Sequence, residues 1–402
     1  MQSMKVSILT REYPPHIYGG AGVHVGQLVP RLAELIDVDV QCMGEARPGA
    51  TAHAETFPAG ANAALRVFGA DLDMVNALPP DVDVLHSHTW YANLAGHIGG
   101  LFHSIPHVVT THSLEPHRPW KVEQLGGGYH LSSWAEHTAL RGADAVISVS
   151  EGMAGDVLAS YPDLDPSTMH VVRNGIDTEE FRPDPSTDVC ERIGMDLSRP
   201  SVVFVGRITR QKGLVHLVRA ARHLDPNVQI VLLAGAPDTP EIAEEFHAAF
   251  DHLRQERGEG SVLWIQEMLP RQEVRQVLTH ATVFACPSIY EPLGIVNLEA
   301  MACETAVVAS AVGGIPEVVV EGETGHLVDY DPTRADDAEY VADFERRFAE
   351  QLTDLLSDPG RAAAWGRAGR ERCQREFSWE TVARQTVAVY QAAIERHRAR
   401  LT

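Results

Sequence analysis

Two cations in this sequence have the types and the spacing that phosphate chemistry requires. Arg207 and Lys212 lie in "FVGRITRQKG", residues 204–213, at the end of a run of apolar and β-branched residues. Two fixed cations at the carboxyl end of a strand suit a pyrophosphate leaving group, whose negative charge grows as its bond breaks. A solvated basic turn is the alternative, and the acidity of the whole chain favours the phosphate interpretation.

Two carboxylates with seven residues between them form a second candidate group. Glu291 begins "EPLGIVNLEA", residues 291–300, and Glu299 follows in the same stretch. Pro292 and Gly294 predict a loop, and a helix that carries Glu299 should follow it. Carboxylates accept hydrogen bonds from sugar and ribose hydroxyls. An isolated pair of glutamates would not indicate a binding site, but this spacing together with Pro-Leu-Gly is a specific signal for one.

A glycine-rich stretch follows the first apolar run of the chain. "REYPPHIYGGAGVHV", residues 11–25, places Gly19, Gly20 and Gly22 between a predicted strand and a predicted helix. Glycines let a phosphate approach the N–H groups of a helix N-terminus. The stretch is neither a Walker A loop nor a good dinucleotide fingerprint. Taken alone, it fits a structural turn and a phosphate loop equally well.

Histidines end two of the predicted strands. His112 ends one in "VVTTHSLEPHRPWK", which places it in the crevice where α/β domains bind ligands. His86 and His88 end another, but no third ligand is spaced to complete a metal site with them. We interpret the four Asp-x-Asp triplets as turns or as solvent-exposed residues at the starts of strands. The sequence therefore predicts no metal ion and no cofactor.

Composition limits the classes of protein that need to be considered. The chain has 402 residues and a formal charge of −22, from 33 basic and 55 acidic side chains. Two domains are expected at this length, and binding to nucleic acid or to an anionic membrane is excluded. Five scattered cysteines without a CxxC motif indicate a cytoplasmic protein. No apolar run reaches 18 residues, so no transmembrane helix is expected.

Short apolar runs alternate with helical stretches along the chain. The first series is Val6–Leu9, Val38–Cys42, Val82–His86, His107–Thr111, Ala145–Val149 and His170–Arg173. The second is Ser201–Val205, Gln229–Ala234, Val262–Ile265, Val283–Cys286 and Ala306–Ser310. Continuous apolar runs indicate parallel strands buried on both faces, and two series predict two doubly wound α/β domains. The last segment, 379–394, has the spacing of an amphipathic helix.

Together these motifs resemble a retaining GT-B glycosyltransferase over nearly the whole chain. The resemblance rests on "GGAGVHV", "THS", "RNGID", "GRITRQKG" and "EPLGIVNLEAMACETAVVAS". It implies two Rossmann-like domains with the active site in the interdomain cleft. The acceptor-side domain would span residues 1–177 and the donor-binding domain 178–377. Residues 378–402 would form a helix that crosses back to the first domain.

Within that fold family the chain is similar to the actinobacterial group of ADP-glucose-dependent glycogen synthases and α-maltose-1-phosphate synthases. "LTREYPPHIYGGAGVHV" and "THSLEPHRPWKVEQLGGGYHLSSWAEHTAL" carry this similarity. It implies glucosyl transfer, with retention, from ADP-glucose to the 4-hydroxyl of glucose 1-phosphate. Thr89 stands where bacterial glycogen synthases often have an acid, which argues against a long-glucan acceptor.

The resemblance also assigns roles to individual residues. The donor pyrophosphate would meet backbone N–H groups and two cations: Gly19, Gly20, Gly22, Arg207 and Lys212. The transferred glucose and the ribose would meet a second set: Glu291, Gly294, Ile295 and, at the ribose, Glu299. His112 would act at the reacting sugar. Departure of the nucleotide would need no metal, and the leaving phosphate would help to deprotonate the acceptor.

The acceptor phosphate needs cations of its own. Arg118 and Lys121, in "EPHRPWK" just after His112, are the candidates. The alternative is a solvated loop with Trp120 packed beneath it.

Other readings of the whole chain stay open at this point. An α-glucan is the alternative acceptor and UDP-glucose is the alternative donor. Whether the chain forms a homodimer also stays open. A nucleotide-sugar epimerase or a non-catalytic sugar-nucleotide binder would change the class of function.

Overall fold

The computed structural model describes residues 4–55, 60–118 and 121–401. Contacts divide the chain into two compact units: Met1–Gly175 with Trp379–Thr402, and Ile176–Ser378. The C-terminal helix therefore belongs to the first unit.

All strand pairings are parallel within the described residues. The strands there are β1 (Lys5–Thr10), β2 (Asp37–Met43), β3 (Thr51–His53), β4 (Val84–His88), β5 (His107–Thr111), β6 (Ala145–Ser148), β7 (Met169–Val171), β8 (Ser201–Ile208), β9 (Gln229–Pro237), β10 (Val262–Ile265), β11 (Val283–Cys286), β12 (Ala306–Ser310) and β13 (Gly325–Val328).

Helices fill most of the connections between these strands. The α-helices are α1 (Gly20–Ala33), α2 (Ala63–Asn76), α3 (Trp90–His103), α4 (Lys121–Leu125), α5 (Gly128–Gly142), α6 (Glu151–Ser160), α7 (Asp188–Ile193), α8 (Leu214–Ala220), α9 (Pro240–Arg257), α10 (Arg271–His280), α11 (Ile295–Ala302), α12 (Ile315–Val318), α13 (Ala338–Leu356), α14 (Pro359–Glu376) and α15 (Trp379–Leu401). Among the described residues, no helix is both long and apolar enough to span a membrane.

The first unit is built on a sheet in the order β3-β2-β1-β4-β5-β6-β7. Successive residues of a strand point to opposite faces, and β1 shows this clearly. Ile8 packs into one apolar cluster with α1 and α15, whereas Leu9 packs into another with α2 and α3. The sheet is thus covered on both faces, and the direction of winding reverses between β1 and β4.

The second unit has a sheet in the order β10-β9-β8-β11-β12-β13. Its winding reverses between β8 and β11, which pair through Val202 and Val283. Ligands of doubly wound sheets bind outside the carboxyl ends of the strands at such a reversal. The two sheets confirm the predicted α/β architecture of two doubly wound domains.

Most predicted strands are present, and the differences have local causes. β3 was not predicted because its three residues, Thr-Ala-His, do not form an apolar run, and β13 was not predicted because it opens with glycine. β8 runs to Ile208, beyond the predicted end at Val205, so Arg207 lies within the strand, whereas Lys212 lies in the loop after it. A register irregularity between Gly206 and Ile208 accompanies this extension.

The helix α15 is joined to the sheet by one buried polar contact. The Tyr390 hydroxyl lies 2.7 Å from Nδ1 of His86 on β4, and both side chains are fully buried. Nε2 of the same ring is 2.7 Å from the Thr110 hydroxyl on β5. A buried polar group that loses its partner keeps its desolvation cost, so this contact should matter for stability.

Tyr390→Phe should lower the free energy of unfolding by about 1–3 kcal/mol, because it leaves a buried ring nitrogen unsatisfied. Denaturant unfolding followed by tryptophan fluorescence measures the change. Tyr18→Phe is the control, since Tyr18 is 63% exposed. Equal stability of the two variants would contradict the proposed importance of the contact.

Candidate active site

Lys212 and Glu291 meet at the carboxyl edge of the second sheet. The Lys212 ammonium lies 2.6 Å from Oε2 of Glu291, and the two side chains are 20% and 10% exposed. Seventy-nine positions separate the two residues in sequence. The structure thus brings the predicted phosphate cation and the predicted sugar carboxylate into direct contact.

Two tight backbone approaches hold the loop of Lys212 in place. Gly213 has φ +61°, and a Cβ there would lie 2.0 Å from the carbonyl oxygen of Pro287. The Ile289 N–H donates to the Gln211 carbonyl at 3.0 Å. Only glycine satisfies both the conformation and the space at 213. The loop after β8 therefore rests directly on the segment that leads to Glu291.

Glu291 is fixed from its other side in the same way. Gly313 has φ +53°, and a Cβ there would lie 2.0 Å from the Glu291 carbonyl oxygen. That oxygen also accepts a hydrogen bond from the Gly314 N–H at 3.0 Å. Gly294, with φ +98°, precedes the first residue of α11, Ile295. The sequence predicted this turn, loop and helix, and the structure shows why the glycines are needed.

The ion pair keeps the Lys212 ammonium charged in a partly buried environment. Burial lowers the pKa of Lys212, but the Glu291 carboxylate together with the neighbouring Cys286 more than offsets this, so the pKa lies above its usual value. The Ser288 hydroxyl donates a further hydrogen bond to Oε2 of Glu291 at 3.2 Å. A permanent cation at the end of a strand can stabilise a departing phosphate without protonation chemistry.

Arg207 has a carboxylate partner that the sequence did not indicate. Nη1 of Arg207 lies 3.2 Å from Oδ2 of Asp238, which follows β9. The side chain of Arg207 is one-third exposed, so a ligand can still reach its guanidinium. Asp238 belongs to the site because β8 and β9 are neighbours in the sheet.

Glu299 lies on α11 and faces a cation from α10. Nη2 of Arg271 is 3.4 Å from Oε1 of Glu299, and Nε of the same guanidinium is 3.2 Å from a Glu180 oxygen. Burial raises the pKa of Glu299 to about 7, and the charge of Arg271 opposes this only in part. Arg271 was not predicted from the sequence, because its proximity to Glu299 depends on how α10 and α11 pack in the fold.

The backbone of the glycine-rich stretch donates hydrogen bonds to a carboxylate side chain of the same chain. Oε2 of Glu12 accepts hydrogen bonds from the N–H groups of Tyr18 at 2.6 Å and Gly19 at 2.8 Å. A Cβ on Gly22 would lie 2.5 Å from the Glu12 carboxylate. Gly22 is therefore required for the close approach of Glu12. A Cβ on Gly20 would meet no atom of the described residues within 4 Å, so its neighbourhood is open.

His112 is one member of a buried histidine cluster in the first unit. Nε2 of His112 lies 3.0 Å from Nδ1 of His88, at the end of β4. His24 on α1 lies edge-on to His112, with ring centroids 4.7 Å apart. The expectation that His88 has no third ligand near it was wrong, because His24 and His112 are close in space although distant in sequence.

Burial keeps this cluster neutral. It lowers the pKa of His24 to about 4 and the pKa values of His88 and His112 well below their usual range. Neutral imidazoles can accept or donate one hydrogen bond on each nitrogen. His112 can therefore orient a hydroxyl without adding a positive charge.

The two predicted acceptor cations have different surroundings. The ammonium of Lys121 lies 2.5 Å from Oε1 of Glu115, and the side chains are 3% and 1% exposed. Burial and the charge of Arg118 lower the pKa of Lys121 to about 8. Arg118 itself is half-buried and donates to the Ser113 hydroxyl at 3.1 Å. This arrangement favours Arg118 over Lys121 as a ligand for phosphate; Trp120 lies outside the described residues.

The chain matches two family models in sequence order. "Glycosyltransferase Family 4" covers residues 18–180, and "Glycosyl transferases group 1" covers residues 191–372.

Individual proteins resemble it over most of their length. The α-maltose-1-phosphate synthase of Mycolicibacterium smegmatis is 59% identical over 391 residues, which cover 96% of this chain and 99% of that protein. The D-inositol 3-phosphate glycosyltransferase of Xylanimonas cellulosilytica is 31% identical, over 79% of this chain and 74% of that protein. Among solved structures, sucrose-phosphate synthase from Thermosynechococcus elongatus shares the fold with a TM-score of 0.76 at 23% identity. That match covers 96% of this chain and 98% of the other.

Lys121→Met should lower the free energy of unfolding by about 3–5 kcal/mol, because it leaves the buried Glu115 carboxylate without its cation. Denaturant unfolding measures the change. The double variant with Glu115→Gln is the control and should recover much of the loss, since no buried charge remains. A single variant as stable as the parent would show that the pair is not structural.

Proposed function

We propose a specific reaction for this chain, which belongs to the GT-B glycosyltransferases and, within them, to the family that includes the α-maltose-1-phosphate synthases. The enzyme transfers glucose from ADP-glucose to the 4-hydroxyl of α-glucose 1-phosphate. The anomeric configuration is retained and the product is α-maltose 1-phosphate.

The observation that supports this most is the similarity to synthases named for that product, at 56–59% identity over 96% of the chain. A more distant relative is named for a phosphorylated cyclitol acceptor, which agrees with an acceptor that carries a phosphate. The choice of ADP-glucose follows the resemblance of the N-terminal motif, residues 9–25, to the ADP-glucose-dependent group.

The donor would be held by the second unit. Lys212 and Arg207 would meet the pyrophosphate, and Glu291 would meet hydroxyls of the transferred glucose. The contact of 2.6 Å between Lys212 and Glu291 supports this assignment, because it places a cation for the pyrophosphate next to a carboxylate for the glucose. Glu299 would accept hydrogen bonds from the ribose hydroxyls, with Arg271 beside it.

The glycine-rich stretch would offer its N–H groups to a phosphate only after a local exchange. Glu12 now accepts the Gly19 N–H, and a diphosphate would repel its carboxylate. We expect Glu12 to move away when the donor binds, which would free N–H groups at the start of α1 for the phosphate.

The acceptor would be held by the first unit. Arg118 is the cation assigned to the phosphate of glucose 1-phosphate. The Arg11 guanidinium lies 4.1 Å from the centroid of the Tyr91 ring, and both Arg11 and Arg118 lie close enough to Tyr91 to influence the pKa of its phenol. The carboxylates of Glu12 and Glu115 act on the same phenol, and Arg11 lies 3.6 Å from an oxygen of Glu55. The proposed anion site at the start of α3 therefore depends on Arg118.

The chemistry can proceed on one face of the sugar. The bond between the anomeric carbon and the ADP oxygen breaks while the acceptor 4-oxygen bonds to the same carbon. The acceptor proton passes to the leaving phosphate, whose charge Lys212 and Arg207 stabilise. His112 would orient the reacting glucose. We place the enzyme in the cytoplasm, where its free, buried cysteines would stay reduced.

One incubation tests the function directly. The enzyme is given ADP-glucose or UDP-glucose, with α-glucose 1-phosphate or glycogen, and the products are identified by NMR. α-Maltose 1-phosphate from ADP-glucose and glucose 1-phosphate is expected. Extension of glycogen without use of glucose 1-phosphate would establish the glucan synthase instead. Binding without turnover would establish a sugar-nucleotide binder.

The raised pKa of Glu299 predicts a pH dependence of nucleotide binding. Below about pH 7 the carboxyl is protonated and loses its charge-assisted acceptor strength, so ADP should bind more weakly at about pH 6 than at about pH 8. Calorimetry on the parent and on Glu299→Gln measures the effect. The ionisation of ADP is common to both proteins, so the difference between them isolates Glu299. Identical pH profiles would exclude Glu299 from the ribose site.

Arg118→Gln should raise the KM for glucose 1-phosphate by about tenfold or more, since the loss of about 1.4 kcal/mol is sufficient. The KM for ADP-glucose should hardly change. Arg141→Gln, at a side chain that is 69% exposed in the same unit, is the control. An unchanged acceptor KM in Arg118→Gln would place the phosphate elsewhere.

A further inference from the structure

Three histidines of the first unit have the arrangement of a metal site. One ring nitrogen from each of His24, His88 and His112 lies within 4.8 Å of the others. The residues come from three elements: α1, the end of β4 and the segment after β5. We propose that this cluster binds a transition-metal ion such as Zn²⁺ and that the bound ion inhibits glucosyl transfer.

The distances are close to those of a coordination sphere. Zinc binds imidazole nitrogens at about 2.0–2.1 Å, so two ligands of a tetrahedral site lie about 3.3 Å apart. Nδ1 of His88 and Nε2 of His112 are already 3.0 Å apart. One nitrogen of His24 lies within 4.8 Å of a nitrogen of each of the other two rings, so a small shift of His24 would complete the set.

An unused nitrogen is available for the ion. Nε2 of His24 is buried and has no hydrogen-bond partner within the described part of the chain, while His88 and His112 face each other through Nδ1 and Nε2. Nδ1 of His24 lies 2.5 Å from Oδ1 of Asn174. A hydrogen bond of this kind, on the nitrogen opposite the metal, orients most histidine ligands in proteins.

The surroundings also fit a ligand role. His86 lies behind His88 with the two rings tilted and their centroids 4.2 Å apart, and its two nitrogens contact Tyr390 and Thr110. His86 can therefore support the site without binding the ion. A set of neutral imidazoles suits Zn²⁺, Cu²⁺ or Ni²⁺ and disfavours Mg²⁺, which prefers oxygen ligands.

Inhibition follows from the position of His112. This part of the proposal rests on the proposed function, in which His112 orients the reacting glucose. An ion bound to the His112 ring would add positive charge where the neutral ring orients a sugar hydroxyl, and it would leave its fourth position to water or to an anion. Catalysis itself would need no metal, so the metal-free enzyme should be the active form.

Metal binding is tested without substrates. Metal-free protein is titrated with Zn²⁺ in a calorimeter, and with Co²⁺ while its visible absorption reports the coordination geometry. One equivalent should bind to the parent. His24→Gln and His88→Gln should each weaken binding by more than the tenfold to hundredfold that loss of an outer-shell partner typically costs. His130→Gln, at an exposed histidine of α5, is the control and should bind as the parent does.

Activity gives the second readout. Turnover of the parent should be lost as one equivalent of Zn²⁺ binds, and EDTA should restore it. In His24→Gln, the rate relative to its own zinc-free rate should no longer fall at that concentration. Circular dichroism confirms that each variant is folded, and if one fails to fold the other decides.

Several results would overturn the proposal. These are the absence of stoichiometric zinc binding to the parent, equal affinity in the parent and in the His24 and His88 variants, and binding that leaves turnover unchanged. Because calorimetry needs no substrate, an error in the assigned donor or acceptor would leave the binding result intact. Failure of the metal site and failure of the proposed function can thus be told apart.

Discussion

The ion pair between Lys212 and Glu291 is the interaction on which the proposed donor site of this enzyme depends. It joins the loop after β8 to the loop after β11, and each loop would be arranged differently without the other. Gly213 and Gly313 allow the backbones to approach within distances that any side chain would block. Because the pair is mostly buried, its charges act in a medium less polar than water, where preorganised charges stabilise a leaving group more strongly.

The surroundings of Lys212 in the second unit and of His112 in the first unit differ in charge. The second unit gathers ions: Lys212 with Glu291, Arg207 with Asp238, and Arg271 with Glu299. The first unit surrounds His112 with neutral imidazoles, which burial keeps unprotonated. Such a division suits a reaction in which the departing nucleotide gains negative charge, while the sugar hydroxyls need only orientation.

Much of this arrangement was predictable because parallel strands leave simple signals. Buried runs such as His107–Thr111 and Ala306–Ser310 gave the bounds of β5 and β12 directly. Since the carboxyl ends of neighbouring strands share an edge, residues that follow those strands could be expected to meet, as Lys212 and Glu291 do. The glycines marked the turns correctly.

Some residues of the site could not be predicted from the sequence, and all of them are brought together by contacts between distant segments. Glu12, Asp238, Arg271 and His24 have no characteristic spacing to the groups that they contact. Lys121 was predicted as a phosphate ligand but forms a buried ion pair. The sequence cannot distinguish these two cases, because it does not show whether the lysine is exposed or buried. The histidine cluster was missed because a search for ligands along the chain cannot detect residues from three separate elements.

A double-mutant cycle on kcat/KM tests the central claim most directly. It compares Lys212→Met, Glu291→Gln and the double variant with the parent, using ADP-glucose and glucose 1-phosphate. Groups in contact couple by about 0.5–3 kcal/mol, so the double variant should lose clearly less than the product of the two single losses. Single losses that simply multiply would show that Lys212 and Glu291 act independently, and would contradict the role given to their ion pair.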